Sequence, residues 1–206
     1  MLFDPTMLRI MAITDGLRDN PTDLVDRIAA AVSGGATCIQ VRLKDASPLT
    51  VVEVTRAIVA RVDVPVLVND RFDVALAAGA AGVHLGSDDL PVADVRRITP
   101  SGFVIGASVG GEETEIANAA LADYVGIGPI YGTGSKTDAG EAIGLAGFTR
   151  LMAAVGKPAV GIGGITSTTA LGVIQVGATG IAVISAIFGN PDPALAARAL
   201  SLAIQA

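Results

Sequence analysis

The sequence predicts a (β/α)8 barrel formed by one domain over residues 1–206, and three observations lead there. A short motif recurs as Gly35-Ala36-Thr37-Cys38-Ile39-Gln40-Val41, Gly79-Ala80-Ala81-Gly82-Val83-His84-Leu85 and Gly177-Ala178-Thr179-Gly180-Ile181-Ala182-Val183. In each, a glycine able to take the left-handed conformation stops a helix, and a short β-rich run begins a strand buried on both faces. Eight such strands can be read along the chain, separated by helical stretches. The composition agrees: 206 residues with 51% hydrophobic side chains supply one core, and 25 glycines with only 3% aromatics suit many close strand–helix contacts.

Taken in order, strands are expected at residues 10–14, 38–42, 65–69, 82–85, 103–108, 124–128, 159–161 and 180–184. Asn20-Pro21 opens the first helix, with Leu24, Ile28 and Val32 on its inner stripe. Ser47-Pro48 opens the second, with Val51, Thr55 and Ile58 inward. Later helices begin near Arg71, Asp89, Glu112, Leu145, Thr166 and Pro193, with short connections except at 130–142. A doubly wound open sheet is the competing fold. Its glycine fingerprint should follow the first strand, where Thr14-Asp15-Gly16-Leu17 supplies none.

A net charge of −6 and a pI near 4.6 argue against nucleic-acid binding, which rests on Lys and Arg neutralising phosphates. The single cysteine, Cys38, excludes an internal disulfide and a multi-cysteine metal site, and reads as a buried thiol in a reducing cytoplasm. Mean hydropathy is +0.60, yet no apolar run is long enough to span a membrane and the N-terminal residues lack a secretory pattern, so a soluble, unexported protein is expected. The residues leave the oligomeric state open, a homo-oligomer included.

The chemistry is carried by strand ends. In Gln40-Val41-Arg42-Leu43-Lys44 the polar three share one face and the apolar pair the other. An inward Arg and Lys are tolerated where an anion meets them, because an unpaired buried charge costs several kcal/mol. The apolar strand Pro65-Val66-Leu67-Val68 ends in Asn69-Asp70-Arg71. A barrel gathers all strand ends at one mouth, pooling these residues with Asp88, Asp89, Ser108, Thr133, Ser135 and Lys136. Asp70 and Asp89 suit a hard divalent cation such as Mg²⁺, which takes one or two carboxylates plus water and phosphate oxygens. For Asp88 or Asp89 alone, helix capping before Pro91 is the simpler reading.

The stretch Gly128-Pro129-Ile130-Tyr131-Gly132-Thr133-Gly134-Ser135-Lys136 reads as an anion lid and not as a P-loop, since Ser135 separates Gly134 from Lys136. Taken without the other strand ends, a plain surface loop is an equally good reading. Gly161-Ile162-Gly163-Gly164-Ile165 and Val183-Ile184-Ser185 fit the backbone-amide phosphate cradle of many barrels, with a tight glycine turn as the alternative. His84, the one histidine, reads as a packed, hydrogen-bonded core residue rather than a base.

On these segments the chain resembles the thiamine-phosphate synthase (thiamine-phosphate pyrophosphorylase) family, nearly end to end. The resemblance is carried by Ile39 to Lys44, Val68-Asn69-Asp70-Arg71, Gly82 to Gly86 with Asp89-Leu90-Pro91, Gly126 to Tyr131 with Lys136, Gly161 to Ile165, and Val183-Ile184-Ser185. It implies that Asp70 and Asp89 hold Mg²⁺ and that Arg42, Lys44, Asn69, Ser108 and Lys136 bind a diphosphate. It further implies that Gln40 helps seat a pyrimidine, and that Thr133 and Ser135 meet a thiazole phosphate whose phosphate rests on Gly164, Ile184 and Ser185. Arg42, Lys44, Lys136 and Ser108 are the residues expected to act on the leaving group. Departures from the family pattern are Gly132 in place of proline, Ser135 of threonine and Ser87 of glutamine, none of which removes a charge. Gly110 stands where related thiazole tautomerases carry a catalytic histidine.

The implied reaction is a transfer joining hydroxymethylpyrimidine diphosphate to hydroxyethylthiazole phosphate, giving thiamine phosphate and diphosphate. Each well-placed charge about 4 Å from the leaving group is worth up to ~4 kcal/mol at an effective dielectric near 20, enough in combination for catalysis without a side-chain base. A tautomerase-like isomerase and a catalytically silent phosphate binder are the alternatives. The first would need a base that Gly110 does not supply, and the second should have lost Asp70, Asp89 or Lys136.

Overall fold

Eight parallel strands close into one barrel in the order in which they occur along the chain: β1 (Ile10–Ile13), β2 (Cys38–Val41), β3 (Val66–Asn69), β4 (Gly82–Leu85), β5 (Val104–Val109), β6 (Tyr124–Ile127), β7 (Ala159–Ile162) and β8 (Gly180–Val183). β8 pairs back onto β1 through Ile10 with Ile181 and Met11 with Ala182, which closes the ring. This computed structural model describes residues 3–14, 16, 21–134 and 140–205. Around the strands lie α1 (Pro21–Ser33), α2 (Pro48–Arg61), α3 (Phe72–Ala78), α4 (Val92–Ile98), α5 (Glu113–Asn118), α6 (Gly144–Val155), α7 (Ala170–Gln175), α8 (Ser185–Phe188) and α9 (Pro193–Ala203). None of the described helices is long and apolar enough to cross a membrane.

The glycine stops behave as the sequence suggests. Gly35, Gly79 and Gly177 have φ of 113°, 73° and 101°, and the strands that follow them are buried. Ser47 caps α2 by accepting the Thr50 N–H at 3.2 Å, with Pro48 in the first turn, where a missing N–H is harmless. Leu24, Ile28 and Ile58 are buried against the outer strand face, with Val32 and Val51 partly buried beside them. Asn20 lies outside the described residues. Three short elements are absent from the sequence expectation, 3-10 turns at Pro5–Leu8 and Ala119–Leu121 and the one-turn helix α8.

Strand alternation sorts the core into two layers. Val41, Val68, Leu85, Ile105 and Ile127 face the helices, whereas Met11, Cys38, Leu67, Tyr124, Val160 and Ala182 fill the barrel itself. Cys38 is free and fully buried, and burial pushes its thiol well above the usual range, as for an inert packing residue. The barrel interior is therefore apolar at its lower end. Arg42, Lys44, Asn69, Asp70 and Ser108 emerge at the other.

Candidate active site

A cavity of about 1100 Å³ opens over the C-terminal ends of the strands. β2 delivers Arg42 into it one residue past the strand end, where the side chain is only 8% exposed, and Lys44 follows at the rim. The Arg42 backbone is fixed by a reciprocal pair across the β1–β2 gap: its N–H donates to Thr14 Oγ1 at 2.7 Å, and the Thr14 hydroxyl donates to the Arg42 carbonyl at 2.9 Å. Thr14 is fully buried and serves the site from behind. Among the described residues Arg42 and Lys44 take part in no ion pair, so two cations face the cavity.

β3 adds Asn69 and Asp70 to the same wall. Asp70 is the one described non-glycine residue with positive φ, 65°, a conformation Asp tolerates better than most side chains. A tight turn produces it: the Arg71 N–H donates to the Asn69 carbonyl at 2.7 Å, and the Asp70 N–H donates to the His84 carbonyl at 2.8 Å. Arg71 leaves the site, donating to Asp73 from Nε at 2.8 Å and holding that carboxyl below its ordinary range. Asp89 also lines the cavity, and its Oδ2 accepts the Gly86 N–H at 2.6 Å.

Asp88 and Asp89 do not cap the next helix. The N-cap of α4 is Pro91, without a side-chain cap, and the Val92 N–H donates instead to Asn118 Oδ1 at 2.8 Å. Asp89 thus orders its own loop and faces the cavity, while Asp88 is an exposed part of the lining. No group of three His, Cys, Asp or Glu side chains is assembled for a metal among the described residues. A pair of carboxylates on a cavity wall that also carries cations fits a hard ion completing its shell with water and ligand oxygens, and it does not fit a closed zinc site.

The opposite wall is backbone. Gly163 and Gly164, with φ of 96° and 63°, line the cavity beside Ile184 and Ser185 at the start of α8. A Cβ on Gly164 would lie 2.6 Å from the Gly132 carbonyl oxygen, so the β6–β7 loops can close on each other only with glycine there. The Ile130 N–H to Ile162 carbonyl and Tyr131 N–H to Gly163 carbonyl bonds, at 2.8 and 3.0 Å, extend that pairing past the strands. Thr133 lines the cavity from the same loop. Ser135 and Lys136 lie outside the described residues.

Three placements go beyond the sequence reading. Gln40, expected at the ligand, is 2% exposed beneath the cavity floor, where its Nε2 donates to Met11 Sδ at 3.5 Å. His84, read as packed, is hydrogen-bonded but half-buried, and it lines the cavity next to Ser108. Glu115 also reaches the lining, yet its Oε2 accepts the N–H groups of Gly110, Gly111 and Glu112 at 2.7, 3.0 and 3.1 Å, which makes it the organiser of the β5–α5 loop. No local pattern announced the inward turn of Glu115. The only hint was its position three residues after Glu112 at a helix start.

A family model described as thiamine monophosphate synthase matches residues 10–187 of this chain. The chain is 43% identical over 205 residues to a thiamine-phosphate synthase of Azorhizobium caulinodans, covering 98% of this chain and 97% of the relative. It is 50% identical over 183 residues to a thiamine-phosphate synthase of Methanoculleus marisnigri, covering 87% and 85%. Among solved structures, a thiamine phosphate pyrophosphorylase from Pyrococcus furiosus superposes with a TM-score of 0.86 at 35% identity, covering 98% of this chain and 97% of that one.

Proposed function

The chain belongs to the thiamine monophosphate synthase family, and on that premise we propose that it joins hydroxymethylpyrimidine diphosphate to hydroxyethylthiazole phosphate, releasing thiamine phosphate and diphosphate. The observation that carries this reading is a single cavity with a cationic, polar wall and a glycine-backbone wall, each suited to an anion. Arg42, Lys44, Asn69 and Ser108 form one, and the Gly163-Gly164 and Ile184-Ser185 backbone forms the other. β3 and β7 stand four places apart in a ring of eight, so the walls face each other across the mouth and suit two phosphorylated substrates.

The role of the first wall follows from charge. A departing diphosphate gains negative charge in the transition state, and cations fixed beforehand by their own backbone contacts stabilise it without reorganising. Thr14 fixes the Arg42 backbone, from which the side chain reaches the cavity. Mg²⁺ belongs to the same proposal: Asp70 and Asp89 would hold it, and bound there it would add charge neutralisation to the leaving diphosphate. Lys136 completes the diphosphate set, Thr133 and Ser135 meet the thiazole, and Gln40 supports the pyrimidine from below. A cytoplasmic setting is part of the proposal, supported by the free, buried Cys38.

The direct test is incubation of the purified protein with both phosphorylated substrates and Mg²⁺. Thiamine phosphate and diphosphate are expected in equal amounts. No thiamine phosphate above the enzyme-free background overturns the reading.

A further inference from the structure

Below the first anion wall, three side chains form a line from the barrel core to the cavity. Tyr124 is fully buried, its hydroxyl lies 3.0 Å from His84 Nδ1, and His84 Nε2 lies 3.1 Å from Ser108 Oγ. The Tyr124 and His84 rings are 5.6 Å apart, centroid to centroid, and tilted by 34°. Two glycines make room for them. A Cβ on Gly106 would come within 2.2 Å of the Tyr124 ring, and one on Gly126 within 3.1 Å of His84 Cε1. The lower ring is fixed again from beneath by Phe3, stacked at 6.5 Å.

The donors and acceptors can be ordered. Burial keeps the phenol protonated, since desolvation drives its titration well above the ordinary range. The Gln40 side chain also bonds the hydroxyl, acting as a donor to its oxygen; for the phenol's own proton, His84 Nδ1 at 3.0 Å is a much stronger acceptor than Met11 Sδ at 4.0 Å. With Nδ1 accepting, the neutral ring carries its hydrogen on Nε2, which faces Ser108 Oγ. Ser108 then accepts from His84, leaving its own hydrogen for a partner in the cavity it lines.

We propose that Tyr124, His84 and Ser108 act as a one-way hydrogen-bond relay that presents the Ser108 proton to a diphosphate oxygen, with Tyr124 and His84 as positioning residues. The relay rests on the assignment of the Ser108 wall to the diphosphate. It differs from simple packing because the loss of Tyr124 is transmitted only through Ser108.

A double-mutant cycle tests it, read as kcat/KM for thiamine phosphate formation and, independently, as affinity for inorganic diphosphate with Mg²⁺. Ser108→Ala and Tyr124→Phe are each expected to lower both quantities by about tenfold, the worth of one hydrogen bond to a charged group. Tyr124→Phe in the Ser108→Ala background is expected to cause no further loss. His84→Gln, which keeps an N–H within reach of Ser108, should retain more affinity than His84→Ala. Additive losses, or equal losses in the two His84 variants, overturn the relay. If the coupling appears in diphosphate binding while no thiamine phosphate is made, the relay stands and the proposed reaction falls.

Discussion

At the N-terminal rim of the barrel the Ile10 N–H donates to Thr37 Oγ1 at 2.8 Å and the Thr37 hydroxyl donates to the Met7 carbonyl at 2.9 Å, whereas at the C-terminal rim Arg42 and Lys44 face an open cavity with no ion pair among the described residues. The lower pattern repeats around the ring. Asp123 Oδ2 accepts the Ile105 N–H at 2.8 Å and the Arg96 guanidinium at 2.7 Å, and Thr179 accepts the Ala159 N–H at 3.2 Å. One end pairs its polar groups with its own backbone and so closes the sheet. The other carries Arg42, Lys44, a left-handed aspartate and glycine backbone on the wall of an open cavity. On the proposed function, stability and chemistry fall to different ends of the same strands, and substitutions at the two ends should separate them.

The largest effect is expected from Asp70→Asn. Asn tolerates positive φ at least as well as Asp, so the turn survives while the charge is lost. Turnover should fall by about a hundredfold or more with an unchanged melting temperature. Asp89→Asn, which keeps an oxygen for the Gly86 N–H, should behave alike. Rate measurements against Mg²⁺ concentration check both, and unchanged Mg²⁺ curves would remove the metal assignment.

Next comes a matched pair of arginines. Arg42→Gln should lower kcat/KM by about a hundredfold with little loss of stability. Arg96→Gln, which breaks the bonds to Asp123 and to the Phe103 carbonyl at 2.6 Å, should cost about 2 kcal/mol in denaturant unfolding and leave the folded enzyme active. The reverse pattern would break the division between the ends.

Gly164→Ala is expected to act on both scales, because the added methyl meets the Gly132 carbonyl and the φ of 63° disfavours a side chain. A rise of about tenfold in KM for the thiazole phosphate, with about 1 kcal/mol of destabilisation, should be seen by steady-state kinetics and thermal melts.

The smallest effect tests the pairing rule itself. Among the described residues Thr55 Oγ1 is the one buried side-chain polar atom without a hydrogen-bond partner. Thr55→Val should therefore raise stability by about 1 kcal/mol, measurable as a higher denaturation midpoint, with activity unchanged. A lower midpoint would mean that the hydroxyl has a partner in solution.

The sequence alone determined the repeating unit and the parity of its residues. Glycines that stop helices, and the alternation of Gln40, Arg42 and Lys44 with Val41 and Leu43, are local properties, fixed by backbone conformations only some residues accept and by the two-residue period of a strand. What alternation does not contain is depth. Gln40 and Arg42 share a face, yet one is sealed under the floor at 2% exposure and the other lines the cavity, because depth is set by the stagger of eight strands once the ring closes. The same closure brought Thr14 behind Arg42 and His84 between Tyr124 and Ser108, contacts spanning 28, 40 and 24 residues of chain. Only the tertiary structure could make those pairs, since each joins residues carried by different strands, whose meeting depends on register rather than on any neighbour in sequence.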